Sequence, residues 1–194
     1  MLSSGGQVYV TVDGGKTWET HKLKMKGKPE VIVFISLRQG WLVERVISRD
    51  QTRSFGRLHR SNDGGRTWEL LATFDRRVLG LTVLDPRRIF VSGENGSILR
   101  TRDGGQSWQR TRTGTRATIN SIASDQKLNL IAVGDCGTVL ISNDEGSNWS
   151  RVRGPADGSN CINACIVSPG HVFVTCATST YFLNAFRSNG SLSE

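Results

Sequence analysis

One phrase of eight residues returns four times in this 194-residue chain: TVDGGKTW at 11–18, SNDGGRTW at 61–68, TRDGGQSW at 101–108 and SNDEGSNW at 142–149. Its aspartates, Asp13, Asp63, Asp103 and Asp144, lie 50, 40 and 41 positions apart. A period near 40 residues constrains the fold more than composition does. Each period is one supersecondary unit, and it must stack on or ring around its neighbours to bury its apolar faces.

Between the phrases, short runs of Val, Ile and Leu alternate with clusters of Gly, Asp, Asn and Ser, the pattern of many short strands. No segment carries a helical period over about 11 residues. Aligned on the phrase, the second unit reads as four strands, A to D: VIVFISL (31–37), GWLVERV (40–46), RLHRSN (57–62) and WELLATF (68–74). The third reads LGLTVLD, RRIFVSG, SILRTR and WQRTRT, and the fourth TINSIAS, LNLIAVGD, TVLISN and WSRVR. A ring of such meanders is a β-propeller, whose radial repetition leaves only short, protected edges. The chain ends carry partial units: QVYVTV and WETHKL supply strands C and D, while CINACIV, HVFVTCA and TYFLNAF supply A, B and a further C. The expected fold is an all-β propeller over 1–194 as one domain. It has about four blades, three complete and one composite from both termini, or else forms a partial ring.

Within the phrase a strand ends, the chain reverses through Asp-x-Gly, and the next strand starts at Trp. The aspartate accepts backbone N–H bonds inside the turn, and Gly15, Gly65, Gly105 and Gly146 supply the positive φ that a residue with a β-carbon resists. Thr17, Thr67 and Ser107 can bond the turn from its far side, and Asn148 replaces them in the fourth copy. Trp18, Trp68, Trp108 and Trp149 are expected to bury their rings as wedges between neighbouring sheets.

The phrase S/T-x-D-x-G-x-T/S-W resembles the Asp-box, or BNR repeat, of sialidases, sortilin-type receptors and related propellers; the fourth copy departs from it at Asn148. The longer contexts GENGSILRTRDGGQSW and VGDCGTVLISNDEGSNW are similar to the propellers that serve as photosystem II assembly and stability factors, and to their bacterial relatives. That resemblance implies a structural box remote from the ligand face, a protein partner, and a periplasmic or thylakoid-lumen location. It also implies nearer seven blades than four. The N-terminus MLSSGGQVYV has neither the basic start nor the apolar run of a secretory signal, which by itself reads as cytoplasmic. No run reaches the roughly 18 apolar residues of a membrane span.

Sialidase chemistry requires an arginine triad, a Tyr/Glu pair and an acid on six blades, about 240 residues at this period. The chain is shorter and lacks the Arg-Ile-Pro triplet of those enzymes. A calcium loop needs oxygen ligands at alternating positions and a terminal Glu, and none follows DGG. Cys136, Cys161, Cys165 and Cys176 have no C-x-x-C spacing, so zinc is not expected; they read as buried thiols, or as a disulfide if the chain is exported. No catalytic residue, cofactor or metal site is expected.

Charge carries the functional reading. The net charge is +8, from 25 Lys and Arg against 17 Asp and Glu. In a meander propeller the D-to-A and B-to-C connections share one end of the blades. That end would collect fifteen basic residues: Lys22, Lys24, Lys26, Lys28, Arg45, Arg49, Arg53, Arg57, Arg76, Arg77, Arg110, Arg112, Arg116, Arg151 and Arg153. Only Glu30, Glu44, Asp50, Asp75, Glu94, Asp135 and Asp157 oppose them. Arg45, Arg49, Arg53, Arg57, Arg76, Arg77, Arg112, Arg116, Arg151 and Arg153 are the candidate partner-binding residues. ERVISRDQTRSFGR (44–57), read as an inserted loop, is their first focus.

The expected partner is an acidic or membrane-proximal protein surface, with the chain acting as an assembly factor or accessory subunit of a larger complex. Nucleic acid is disfavoured, because only Phe55 and Phe74 offer rings for bases to stack on. The alternatives are a carbohydrate-binding or sialidase-derived module, and a structural protein that completes a ring as a homo-oligomer.

Overall fold

A computed structural model describes residues 6–125, 127–168 and 171–184. The chain divides into two compact units, Met1–Val78 and Leu79–Glu194. Among the described residues every regular element is a strand.

In the first unit, β1 (Gln7–Val10) and β2 (Glu19–Lys22) form a two-stranded sheet. A four-stranded meander follows: β3 (Lys28–Phe34), β4 (Gly40–Ile47), β5 (Ser54–Ser61) and β6 (Glu69–Thr73), hydrogen-bonded in that order. Side chains alternate between the faces of each strand. Val8 of β1 and Leu42 of β4 are thereby placed in one buried cluster with Leu23, backed by Val10, Ile32 and Trp68.

The second unit repeats the device. Its first meander is β7 (Val78–Val83), β8 (Ile89–Gly93), β9 (Ser97–Thr101) and β10 (Gln109–Arg110), and its second is β11 (Ile119–Ser124), β12 (Leu130–Gly134), β13 (Thr138–Ser142) and β14 (Ser150–Arg151). A three-stranded sheet of β15 (Cys161–Ser168), β16 (His171–Cys176) and β17 (Thr180–Asn184) completes it. Strand β17 takes the position of the further C strand; residues 185 and 186 of that expected strand lie outside the described residues. Phe90 and Ile98 of one meander pack against Ile119, Ile122, Leu130, Ala132 and Leu140 of the next. Each buried Ile or Leu among them contributes about 1.5–3 kcal/mol.

The two terminal sheets are separately hydrogen-bonded, so among the described residues no composite sheet forms from both ends. The physical reason is that β17 already occupies the edge of β16 that β1 would need. Cys161 and Cys176, cross-strand partners, are joined by a disulfide, while Cys136 and Cys165 are exposed free thiols rather than buried ones.

Every copy of the phrase closes through the same bonds. In the second, the Ser61 hydroxyl donates to Asp63 Oδ1 at 2.8 Å and accepts from Gly65 N at 2.8 Å. Thr67 N donates to Asp63 Oδ1 at 2.9 Å, and the Thr67 hydroxyl to Oδ2 at 2.5 Å. Asn148 does the same work in the fourth copy, with its amide N–H 2.9 Å from Asp144 Oδ1 and its side-chain nitrogen 2.7 Å from Oδ2. The departure in sequence is therefore none in geometry. Both glycines of DGG are left-handed, at φ +77° and +87° for Gly64 and Gly65, and Glu145 adopts +54° where the fourth copy lacks the first glycine.

The turn then docks on the A-to-B turn of its own blade. Gly64 N donates to Arg38 O at 2.9 Å, Gly104 N to Arg87 O at 3.0 Å, and Glu145 N to Leu128 O at 3.0 Å. Trp68 and Trp149 pack beside the buried clusters of the sheets that precede them. Trp18 does not follow them: no sheet precedes it among the described residues, and it is 48% exposed.

Two outcomes are expected. A β-carbon on Gly65 would lie 3.2 Å from the Phe34 ring and 3.5 Å from that of Trp68, whereas one on Gly14 meets nothing within 4 Å. Both substitutions by Ala incur left-handed strain of about 1 kcal/mol, so urea denaturation should show Gly65→Ala to be the more destabilising. The Thr17 bonds hold the Asp13 carboxyl at a pKa of about 2. A carboxyl lowered on folding stabilises above its unfolded value of about 4 and loses that contribution as pH falls toward the folded value. The difference in melting temperature between the wild type and Asp13→Asn should be constant from pH 7 to 5 and shrink between pH 4 and 2.

Candidate functional site

The segment 44–57, expected to be a loop, is a β-hairpin. Arg45, Val46 and Ile47 of β4 pair with Gly56, Phe55 and Ser54 of β5. Backbone pairing carries both strands past the ends of β3 and β6, and only 48–53 turns. The Ser48 hydroxyl donates to Asp50 Oδ1, Thr52 N donates to the same oxygen at 3.1 Å, and Gln51 takes φ +57°. These bonds, that of Ser48 foremost, lower the Asp50 carboxyl to a pKa of about 2. Arg49 and Arg53 stand exposed at this tip, and Arg57 lies over the Phe55 ring with its guanidinium carbon 5.5 Å from the centroid.

Two connections flank the base of the hairpin. Residues 23–27 run so close to β4 that a β-carbon on Gly27 would overlap the Arg45 carbonyl, and 74–77 run along β5, with Gly56 N donating to Arg76 O at 2.9 Å. Glu44, 1% exposed, secures the first by accepting from Gly27 N and contacts His59 Nε2 at 2.8 Å on its other oxygen. Glu30 gathers the second: it accepts from Arg77 Nε at 3.1 Å and Arg77 Nη2 at 2.9 Å, and lies 3.2 Å from Arg45 Nε.

Between the first connection and β4 opens a cleft of about 500 Å³. Lys26, Lys28 and Arg45 line it together with Leu23, Met25 and Ile47. Lys22 and Lys24 belong instead to a second, smaller cleft beside His59 and Trp68. Arg49, Arg53 and Arg76 make no ion pair among the described residues.

In the second unit, Arg112 and Arg116 are exposed on the 111–118 connection, which crosses the β8–β9 turn where Gly96 N donates to Ala117 O at 2.9 Å. Arg151 and Arg153 are exposed on β14 and just beyond it, next to a connection that meets the β12–β13 turn at Gly137. Within each unit, then, the D-to-A and B-to-C connections do share one end. At the opposite, box-bearing end the arginines are largely paired: Arg60 with Glu69, Arg66 with Glu19, and Arg88 and Arg102 with Glu145. Glu30, Glu44 and Glu145 were not singled out from the sequence for these roles, because their partners lie from 15 to 57 residues away.

The box residues themselves are occupied. Asp13, Asp63, Asp103 and Asp144 spend both carboxylate oxygens on their own turns. Trp18, Trp68 and Trp108 donate their ring N–H to Gly15, Gly65 and Gly105, while Trp149 Nε1 has no acceptor among the described residues. No group of His, Cys, Asp and Glu among the described residues is arranged to hold a metal ion. No helix of the described residues is long and apolar enough to cross a membrane.

The BNR/Asp-box repeat family matches residues 9–20. Among solved structures, YCF48 from Cyanidioschyzon merolae superposes with a TM-score of 0.68 at 17% identity, over 90% of this chain and 59% of that one. The fold is that of the Asp-box β-propellers. A structure of YCF48 bound to D1 peptide matches at 0.56 and 19% identity, over 96% of this chain and 59% of that one. A GH74 enzyme of Niastella koreensis matches at 0.70 and 14% identity, over 99% of this chain and 34% of that one. The chain thus spans about three-fifths of the YCF48 chains it matches. No curated protein matches it.

Glu30 meets two of the candidate arginines, Arg45 and Arg77. Glu30→Gln should lower the stability of the first unit by about 1–2 kcal/mol, because hydrogen bonds to a charged group in a half-buried site are lost; urea denaturation measures it.

Proposed function

We propose that the chain is a non-catalytic docking module that binds an acidic polypeptide segment at the basic end of its first unit, as an assembly factor or accessory subunit. The observation that carries this reading is the cleft lined by Lys26, Lys28 and Arg45 together with Leu23, Met25 and Ile47, beside a protruding hairpin whose Arg49 and Arg53 have no counter-ion among the described residues. Cations beside apolar side chains suit a peptide that alternates Asp or Glu with Leu or Phe. Around the cleft, Lys26, Lys28, Arg45, Arg49, Arg53, Arg57, Arg76 and Arg77 outnumber Glu30, Glu44, Asp50 and Asp75 by eight to four. Two of those four, Glu44 and Asp50, are committed to local bonds.

That a peptide complex exists for a protein of this fold, YCF48 with a D1 peptide, supports a polypeptide partner here. The sequence resemblance to photosystem II assembly factors makes an acidic or membrane-proximal surface of such a complex the concrete partner. Arg112, Arg116, Arg151 and Arg153 give the corresponding end of the second unit a basic character of its own.

The GH74 neighbour raises the enzyme alternative. Glycoside hydrolysis relies on two carboxyl groups flanking the scissile bond, and no carboxylate lines the cleft. Glycosidase turnover by the pure chain would refute the non-catalytic reading.

The binding test uses a fluorescent peptide of alternating Glu and Leu in an anisotropy titration. Lys26→Glu with Lys28→Glu should weaken binding about tenfold or more, equivalent to about 1.4 kcal/mol, and added salt should narrow the gap. Arg38→Glu, at the box end, should leave affinity within about twofold. Equal losses in both variants would mean that net charge, not the cleft, attracts the peptide.

A further inference from the structure

Sheets in the second unit pack in one fixed register. Ile119, Ile122, Leu130, Ala132 and Leu140 turn one face of β11–β14 to the preceding sheet. Ile131, Val133 and Val139 turn the other face to Cys161, Ala164, Val172 and Val174 of the following one. The strand registers align Ile131 with Phe173, Val133 with Thr175, Ile141 with Phe182 and Ala123 with Cys165. The outer face of β15–β17 therefore repeats the positions that, one sheet earlier, receive the next blade.

That face is apolar and open. Phe173 is 43% and Phe182 50% exposed, and their rings meet edge to face with centroids 5.1 Å apart. Ile162 and Val167 are exposed beside them at two bulges. Residues 161–184 include no Asp, Glu, Lys or Arg, in a chain that is 22% charged.

The first sheet carries the complementary element. Trp18 holds the place in its repeat that Trp149 holds in the fourth, and Trp149 packs into the cluster containing Phe90 and Ile98. Counting back from the box, Tyr9 corresponds to Leu140 of that same cluster. Aromatic rings meeting edge to face add about 0.5–1.5 kcal/mol beyond the area they bury.

We propose that the outer face of β15–β17 in one copy receives the Trp18 face of β1–β2 in a second copy, joining the two chains head to tail in the way one blade follows another. Such a contact uses two different patches, so it closes a ring if the rotation permits and otherwise propagates.

Sedimentation of Phe173→Asp, Trp18→Asp and their equal mixture tests this. The wild type should self-associate, each variant alone should be monomeric, and the mixture should form a dimer and nothing larger, since one intact patch remains on each partner. A variant that dimerises in the mixture is thereby shown to be folded. Should Phe173→Asp fail to fold, Phe182→Ser replaces it and should give the same pattern. A monomeric wild type overturns the proposal. So does a mixture that stays monomeric, or a Trp18→Asp variant that still associates, which would mean that two β15–β17 faces meet each other.

Discussion

The structure depends on a carboxylate whose needs are met inside one turn. A hydroxyl two residues before each box aspartate, and a backbone N–H and side-chain donor four residues after it, occupy its oxygens at distances of 2.5–3.0 Å. A reversal this tight needs two successive left-handed residues, which is why DGG recurs. Because the turn closes on itself, its outward N–H is left to the neighbouring A-to-B turn, and strands C and D become pinned to strands A and B at one end. At the other end the D-to-A connection is tied to the B-to-C turn, as by Gly56 N to Arg76 O and Gly96 N to Ala117 O. These connections differ in length and charge, and beside them stand Arg49, Arg53 and Arg76, which make no ion pair among the described residues.

The features legible in the sequence are those fixed by bonds within a few residues. The box, the strand runs of each repeat and the sharing of one end by two kinds of connection all follow from local patterns. What the sequence concealed are long-range choices. The 44–57 segment reads as a loop because its charges and Gly56 interrupt any alternating pattern, while the pairing of Val46 with Phe55 is set across the hairpin. The Arg77–Glu30 pair joins residues 47 apart, and the overlap that Gly27 avoids belongs to a carbonyl on another strand. Trp18 matches its three counterparts letter for letter, yet burial is a property of what stands next to it. The fourth box shows the converse: its two departures, Glu145 and Asn148, preserve the turn and add an ion pair to Arg88.

Arginines held near the sheets are paired at both ends of the blades, by Glu145 at the box end and Glu30 at the other, whereas those on the hairpin tip are not, for a reason of geometry. At the box end, turns from successive sheets come together, so a carboxylate such as Glu145 can reach two guanidinium groups at once. Half-buried pairs of this kind fix side chains and screen their charge. At the other end, the hairpin of β4 and β5 projects past its neighbours, which puts Arg49 and Arg53 beyond the reach of the sheet's own carboxylates. An exposed cation without a partner adds little to stability, but it adds to the field that draws an anionic surface inward.

A fold built by repetition has no internal signal to stop. The β11–β14 sheet presents one apolar face forward and one backward, and arrays of such sheets stay soluble when the last unit carries a polar outer face. The final sheet does not conform: two of its outward positions are phenylalanine and none is charged. Thr175 and Thr180 soften the face relative to Val133 and Val139, while Phe173 and Phe182 enlarge it relative to Ile131 and Ile141. The sheet thus has the composition of a blade with a successor rather than that of a cap.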